Sequence, residues 1–148
     1  MASSPDSTEV IGAGLPELSL PPQRAPILVV EDDEKIRDTL VSMLSQLGHA
    51  VDVAADGEEG ISMFQRGSYR LVVTDLGMPN VSGWEVAKAV KREKAEVPVL
   101  LVTGWGVQFD IDEAQESGVD EIIAKPFTKE DLCGRVTELL SGIRDSVA

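Results

Sequence analysis

The sequence predicts an α/β domain built on one parallel, doubly wound sheet of five strands with helices on both faces. Three observations predict this fold class. Short apolar runs alternate five times with segments of helical periodicity. The first run, 26–30, is continuously apolar, as a strand buried on both faces requires. Several helical segments end close to a glycine, which is a common helix stop.

The first three strands and the first two helices follow from the apolar pattern. The strands cover 26–30, 50–54 and 71–74. The apolar face of the first helix consists of Ile36, Leu40, Leu44 and Leu47. Gly48 ends that helix. The second helix, 57–65, turns Ile61 and Phe64 inward and ends near Gly67.

The second half of the chain continues the alternation. The third helix begins at Gly83, because Ser82 and Glu85 form the S-x-x-E capping box. The next elements are strand 4 at 98–102, a short helix at 111–116 ended by Gly118, and strand 5 at 121–124. Thr128 is the expected cap of the last helix. Its buried face carries Leu132, Val136, Leu139 and Ile143. We expect the flavodoxin-like strand order 2-1-3-4-5, which puts a ligand site outside the carboxyl ends of strands 1 and 3.

Composition limits the class of protein. Residues 1–25 are rich in Ser, Pro and small residues, which predicts a flexible leader or linker before a domain at 26–143 and a tail at 144–148. The net charge of −13 disfavours direct binding to nucleic acid or anionic membranes. We find no secretion signal and no bilayer-spanning run. The single Cys133, interpreted as a packing residue, agrees with a cytoplasmic location.

Polar side chains follow the predicted strands. In chain order they are Glu31-Asp32-Asp33, Asp75, Thr103 and Lys125-Pro126. Parallel strands bring these positions to one sheet edge, where clustered carboxylates favour a hard cation such as Mg²⁺ or Mn²⁺. The cation and Lys125 would stabilise charge on a transferring phosphoryl group, and Thr103 would donate a hydrogen bond to it. The central Asp75 would be the nucleophile.

Each of these residues also has a structural explanation. The carboxylates at 31–33 precede a helix, where negative charge is favourable without any ligand. Asp75 is a common residue type at the start of a turn. Lys125 alone could be a surface charge, and Thr103 alone could be a strand-end residue or a cap. The coincidence of all four positions at one sheet edge favours a functional site.

The motifs ILVVEDDE, VVTDLGMPNVSGWE, VPVLLVTG and IIAKPFT resemble those of a response-regulator receiver domain of two-component signalling, over about residues 26–143. The resemblance implies that Asp75 accepts a phosphoryl group from a partner histidine kinase or histidine phosphotransfer protein. Thr103 and Lys125 would contact that group, and the Lys125–Pro126 peptide bond would be cis.

The same resemblance implies a magnesium site. Asp32 would ligate the ion directly and Glu31 more often through water, beside Asp75. The backbone carbonyl of Gly77 would be a further protein ligand. Asp33 falls one residue after the acidic pair and is not expected to contact the ion.

Three residues depart from the family pattern. Ile122 occupies the position of a switching aromatic residue, so we expect output to pass mainly through residues 103–110. Gly77 has no side chain to steer a hydrolytic water. Trp105 is either a packing residue or a cover that, with Gly77, sets the lifetime of the acyl phosphate.

Other functions are weighed against this one. An aspartate-nucleophile phosphatase of the haloacid-dehalogenase type would carry a second Asp where Gly77 stands. A flavin-binding module would need a glycine- and hydroxyl-rich phosphate cradle where this chain is acidic. A docking module without phosphorylation is disfavoured by Asp75, Thr103 and Lys125. We therefore expect a phosphoacceptor that is not an enzyme in isolation, either standing alone or as part of a hybrid histidine kinase. Its signal, cognate kinase and downstream target are not encoded in any recognisable motif.

Overall fold

A computed structural model of the chain describes residues 26–104 and 111–141. Five strands and five helices alternate in this part of the chain. The strands are β1 (Ile27–Val30), β2 (Val51–Ala54), β3 (Leu71–Asp75), β4 (Val99–Thr103) and β5 (Glu121–Ala124). The helices are α1 (Glu34–Gln46), α2 (Gly57–Arg66), α3 (Gly83–Glu93), α4 (Ile111–Ser117) and α5 (Lys129–Ser141). The predicted leader and tail, Trp105 and Ile143 lie outside the described residues.

The strands form one parallel sheet in the order β2-β1-β3-β4-β5, which confirms the predicted topology. The carboxyl ends of β1 and β3 therefore lie side by side, with β4 next to β3 and β5 beyond it. The predicted polar residues lie at this edge, either as the last residue of a strand or directly after it. Among the described residues, no helix is both long and apolar enough to cross a membrane.

Two strand ends differ from the prediction. β3 includes Asp75 and β4 includes Thr103, each one residue later than expected. The ladder continues because Asp75 pairs with Val102, and the amide after Asp75 donates to the Val102 carbonyl at 2.9 Å. The Lys125 amide likewise donates to the Thr103 carbonyl at 2.7 Å. Both polar residues are therefore held by sheet hydrogen bonds and not by a loop. Other differences of one residue affect the starts of β1, β2 and β4 and the ends of α2 and α4.

The three inner strands, β1, β3 and β4, are buried on both faces, which explains their continuous apolar runs. Ile27 and Val29 of β1 face one core layer, which contains apolar residues of α1 and α5. Leu28 and Val30 face the other layer, which contains residues of α2 and α3. Successive side chains of a strand point to opposite faces, so one short run serves both layers.

The predicted helix signals are confirmed. Ser82 and Glu85 form the reciprocal capping box, with hydrogen bonds of 3.0 and 3.4 Å. The Thr128 hydroxyl accepts from the Asp131 amide at 3.0 Å at the start of α5. Gly48 and Gly118 adopt positive φ angles of 95° and 83° after α1 and α4, which a side chain would disfavour.

Candidate functional site

The predicted site residues meet at the carboxyl edge of the sheet. Glu31 follows β1, Asp75 and Thr103 end β3 and β4, and Lys125 follows β5. Glu31, Asp75 and Thr103 are buried, with exposed fractions of 1%, 7% and 4%. Asp32 is exposed. The fold therefore places three polar groups in a nearly dry site with one carboxylate at its mouth.

The acidic residues form one cluster. Carboxylate oxygens of Glu31, Asp32 and Asp75 all lie within 4.8 Å of one another. The pKa of Glu31 is raised to about 7, mainly by burial. The hydrogen bond from the Asp33 amide opposes this rise, and the negative charge of Asp75 adds to it. The clustered carboxylates therefore need a positive counter-charge from another group.

Lys125 supplies part of that charge. Its Nζ atom lies 3.0 Å from Asp75 Oδ1 and 3.5 Å from Glu31 Oε1. Burial alone would lower the pKa of Lys125, but the hydrogen bond and charge of Asp75, together with Glu31, raise it above its ordinary value. The Lys125–Pro126 peptide bond is cis, as the family resemblance implied.

Thr103 presents a hydroxyl to the site without a partner in the part of the chain that the structure describes. Its Oγ1 atom is buried and has no hydrogen-bond partner among the described residues. Thr103 lines a cavity of about 230 Å³ together with Asp75, Gly77, Gly104 and Lys125. A buried hydroxyl without a partner costs roughly 1–3 kcal/mol, which an oxygen of a bound ligand would recover.

These residues fit a hard divalent cation. Every donor in the cluster is an oxygen, and the carboxylates are more numerous than the nearby ammonium group. Among the described residues, Oε1 of Glu31 is buried without a hydrogen-bond donor, and the Lys125 Nζ atom lies 3.5 Å from it. Glu31, Asp32 and Asp75 would hold Mg²⁺ or Mn²⁺, and Gly77 lines the adjacent cavity.

The structure separates the acidic triplet into two roles. Asp33 is the N-cap of α1, and its Oδ1 atom accepts from the amides of Lys35 and Ile36 at 2.9 and 3.2 Å. Asp33 is therefore explained by the helix, whereas Glu31 and Asp32 belong to the cluster. The structural explanation of the triplet is therefore confirmed for Asp33, and the metal-binding role of Glu31 and Asp32 stays a prediction.

Sequence reasoning missed Arg37. Its Nη1 atom donates to the Glu31 carbonyl at 3.1 Å, so α1 holds the backbone where β1 turns into the site. No periodicity or motif marks this contact, because it depends on how α1 packs over the strand end. Ile122, at the position of the family's aromatic residue, is half-buried in β5 and pairs with Leu101. Trp105 lies outside the described residues.

Comparison with known proteins now decides the family. Residues 27–137 match the family described as the response regulator receiver domain. The chain belongs to this family. The chain is therefore a receiver domain of two-component signalling, and the clustered polar residues lie at the carboxyl edge of its sheet.

Three relatives illustrate the likeness of this receiver domain. Transcriptional regulatory protein TcrA of Mycobacterium tuberculosis is 35% identical over 113 residues, covering 76% of this chain and 45% of the relative. The structure of Thermotoga maritima response regulator TrrA in complex with Mg²⁺–BeF is 33% identical, with a TM-score of 0.72, covering 78% of this chain and 98% of that one. The receiver domain of a signal transduction histidine kinase from Syntrophus aciditrophicus is 27% identical, with a TM-score of 0.74, covering 80% and 92%. The chain spans about half the length of the curated relatives it matches.

Proposed function

We propose that Asp75 is the phosphoacceptor of this receiver domain and takes its phosphoryl group from a phosphohistidine of a partner kinase or phosphotransfer protein. One observation supports this most directly. The Asp75 carboxylate ends the central strand with Lys125 Nζ at 3.0 Å, and it lines the same cavity as Thr103, whose hydroxyl has no partner within residues 26–104 and 111–141. A nucleophile, a cation and a hydrogen-bond donor thus share one small space.

The proposed transfer replaces one bond to phosphorus with another. An oxygen of Asp75 forms a bond to phosphorus as the phosphorus–nitrogen bond of the phosphohistidine breaks. The electron pair of the broken bond stays on the imidazole nitrogen. Lys125 and the Thr103 hydroxyl stabilise the phosphoryl oxygens in the product. Glu31 and Asp32 would hold Mg²⁺ or Mn²⁺, which when bound supplies further positive charge at those oxygens.

The same residues argue against a phosphatase. Position 77, two residues after the nucleophile, is a glycine with no acid or base to drive repeated hydrolysis. The domain is then a switch whose phosphorylation changes partner binding, and it is not an enzyme in isolation. We also propose a cytoplasmic location, because a partner histidine kinase would transfer its phosphoryl group there. The structure of TrrA in complex with Mg²⁺–BeF and the naming of TcrA as a transcriptional regulatory protein support this class of function without assigning an output.

The test uses acetyl phosphate as a small phosphodonor with Mg²⁺ and reads the intact mass. We expect one phosphate adduct in the parent chain, none in Asp75→Ala, and none when the metal is chelated. Asp38→Ala is the matched control, because Asp38 is an exposed carboxylate on α1 away from the cluster. A parent chain that never gains the adduct would contradict the proposal and favour the docking module.

A further inference from the structure

Helix α3 begins directly against the backbone of the phosphoacceptor strand. Gly83 is buried at the first position of α3, after the N-cap Ser82. A Cβ atom at this position would lie 2.8 Å from the Leu76 Cα atom and 2.8 Å from Leu101 Cδ1, and closer still to the Asp75 carbonyl oxygen. Atoms in protein interiors do not approach so closely, so a side chain here would have to move backbone.

Local conformation does not explain the glycine. Gly83 is helical and is not one of the glycines with positive φ among the described residues, which are Gly48 and Gly118. Alanine is favoured over glycine within helices. Crowding by the neighbouring strand end is therefore the reason that position 83 has no side chain.

The crowded contact closes the loop that follows the phosphoacceptor. The Gly83 amide donates to the Leu76 carbonyl at 2.9 Å, and the Met78 amide donates to the same carbonyl at 3.2 Å. On the other side, the Leu76 amide donates to the Val102 carbonyl of β4 at 2.9 Å. The backbone next to Asp75 is thus clamped between β4 and the start of α3.

We propose that Gly83 is a positioning residue for phosphoryl transfer, because its missing side chain lets α3 seat on the Asp75–Leu76 backbone and so holds Asp75 against Lys125. This inference rests on the phosphoacceptor function proposed above. The contact also fixes Gly77, which lies within the closed loop and on the cavity wall. A methyl group at position 83 displaces both residues relative to Thr103 and Lys125, which belong to other strands.

The first test compares Gly83→Ala with Gly67→Ala. Gly67 is the matched control because its Cβ atom would also be crowded, at 2.9 Å from a ring atom of Tyr69, but at the opposite edge of the sheet. Both variants are measured well below their unfolding midpoints. We expect Gly83→Ala to lower the rate of adduct formation from acetyl phosphate by about tenfold to a hundredfold, since a shift of about 1 Å in a reacting group has that effect. Gly67→Ala should keep the parent rate.

The second test separates backbone positioning from side-chain packing. Leu101→Val removes Cδ1, the only side-chain atom among the three crowding atoms. Because the other two are backbone, Gly83→Ala combined with Leu101→Val should remain as slow as Gly83→Ala alone. Recovery of the parent rate in the double variant would overturn the proposal and assign Gly83 to core packing.

A metal-free readout distinguishes this inference from the proposed function. Amide and side-chain NMR spectra without Mg²⁺ should show shifts at Thr103 and Lys125 in Gly83→Ala and not in Gly67→Ala. A parent chain without an adduct would refute phosphoacceptance, and the same spectra would still decide whether Gly83 positions Asp75. Unchanged resonances at Thr103 and Lys125 would overturn the inference, whatever the parent does.

To control for a loss of folding, the variants are also made in a Gly134→Ala background, which is expected to stabilise α5. A Gly83→Ala chain that fails to fold even in this background would overturn the proposal, because position 83 would then serve folding and not positioning. A folded variant with the parent rate of adduct formation would overturn it as well. A folded, slow variant that Leu101→Val does not rescue supports it.

Discussion

Lys125 Nζ lies 3.0 Å from Asp75 Oδ1. Asp75 is the last residue of β3 and Lys125 directly follows β5, and β4 lies between these two strands in the sheet. The lysine therefore reaches across a whole strand to contact Asp75. Its position also brings it to 3.5 Å from Glu31 Oε1, so one ammonium group serves two buried carboxylates.

Removing the shared cation should affect both chemistry and metal-free stability. We expect Lys125→Ala to slow adduct formation from acetyl phosphate by about a hundredfold, because one stabilising group at the phosphoryl oxygens is lost. Without Mg²⁺ it should also lower the free energy of unfolding by roughly 1–3 kcal/mol, since Asp75 and Glu31 lose their counter-charge. Time-resolved intact mass and urea titration measure the two effects.

Lys88→Ala is the control for that prediction. Lys88 pairs with Glu113 at 3.6 Å on the surface, and exposed pairs contribute only about 0–1 kcal/mol. If Lys88→Ala slows adduct formation as much as Lys125→Ala does, the loss reflects general surface charge and the assigned role of Lys125 is wrong.

The buried Glu31 predicts a pH dependence. Burial raises the pKa of Glu31 to about 7 from its ordinary 4.5, so the folded chain binds this proton more tightly than the unfolded chain. The stability that the proton contributes is complete below pH 4.5 and is lost as the pH rises through about 7. Unfolding midpoints of the metal-free chain should therefore fall over this range, and Glu31→Gln should flatten the fall.

Metal binding should show the opposite trend. Because the cation competes with the proton on Glu31, the affinity for Mg²⁺ should rise between about pH 6 and pH 8. Calorimetric titration at several pH values measures this rise in the parent, and Glu31→Gln should reduce it. An affinity that is independent of pH in the parent would show that Glu31 does not take part in binding.

Two helical glycines should respond to alanine in opposite directions. Gly134 in α5 has open space around its Cβ position, so Gly134→Ala should raise the free energy of unfolding by about 0.5–1 kcal/mol. The Cβ atom of Gly60 in α2 would lie 2.7 Å from Val30 Cγ2, so Gly60→Ala should lower it by roughly 1–3 kcal/mol. Urea titration of both variants checks the pair, and changes of the same sign would refute the packing argument.

Position 77 should control the lifetime of the adduct. A Cβ atom at Gly77 would meet no described residue within 4 Å, so we expect an asparagine to fit there without moving the backbone. Its amide would stand at the cavity and orient a water, so Gly77→Asn should shorten the half-life of the phosphate adduct several-fold. We expect the unfolding midpoint to stay near that of the parent, and Trp105→Ala to alter the half-life as well. Half-lives unchanged in both variants would end this hypothesis.

Particular elements show how far sequence reasoning reached. The Ser82–Glu85 capping box and the Thr128 cap were predictable because each is a local contact with a fixed spacing. The ends of β3 and β4 were placed one residue early, because the pattern of apolar residues stops before the ladder of hydrogen bonds does. Asp75 and Thr103 are thus strand residues that look like loop residues in the sequence.

The order of apolar runs, helix signals and polar strand ends determined by itself the fold class, the strand order and the central site residues. These features are local or periodic, and parallel α/β topology turns them into neighbours. Only the tertiary structure decided that Asp33 caps a helix while Glu31 joins the cluster, that Lys125 reaches across β4, and that Gly83 is crowded by the strand of Asp75. Those outcomes depend on distances between elements distant along the chain or on the direction of single side chains, and neither is encoded in residue spacing.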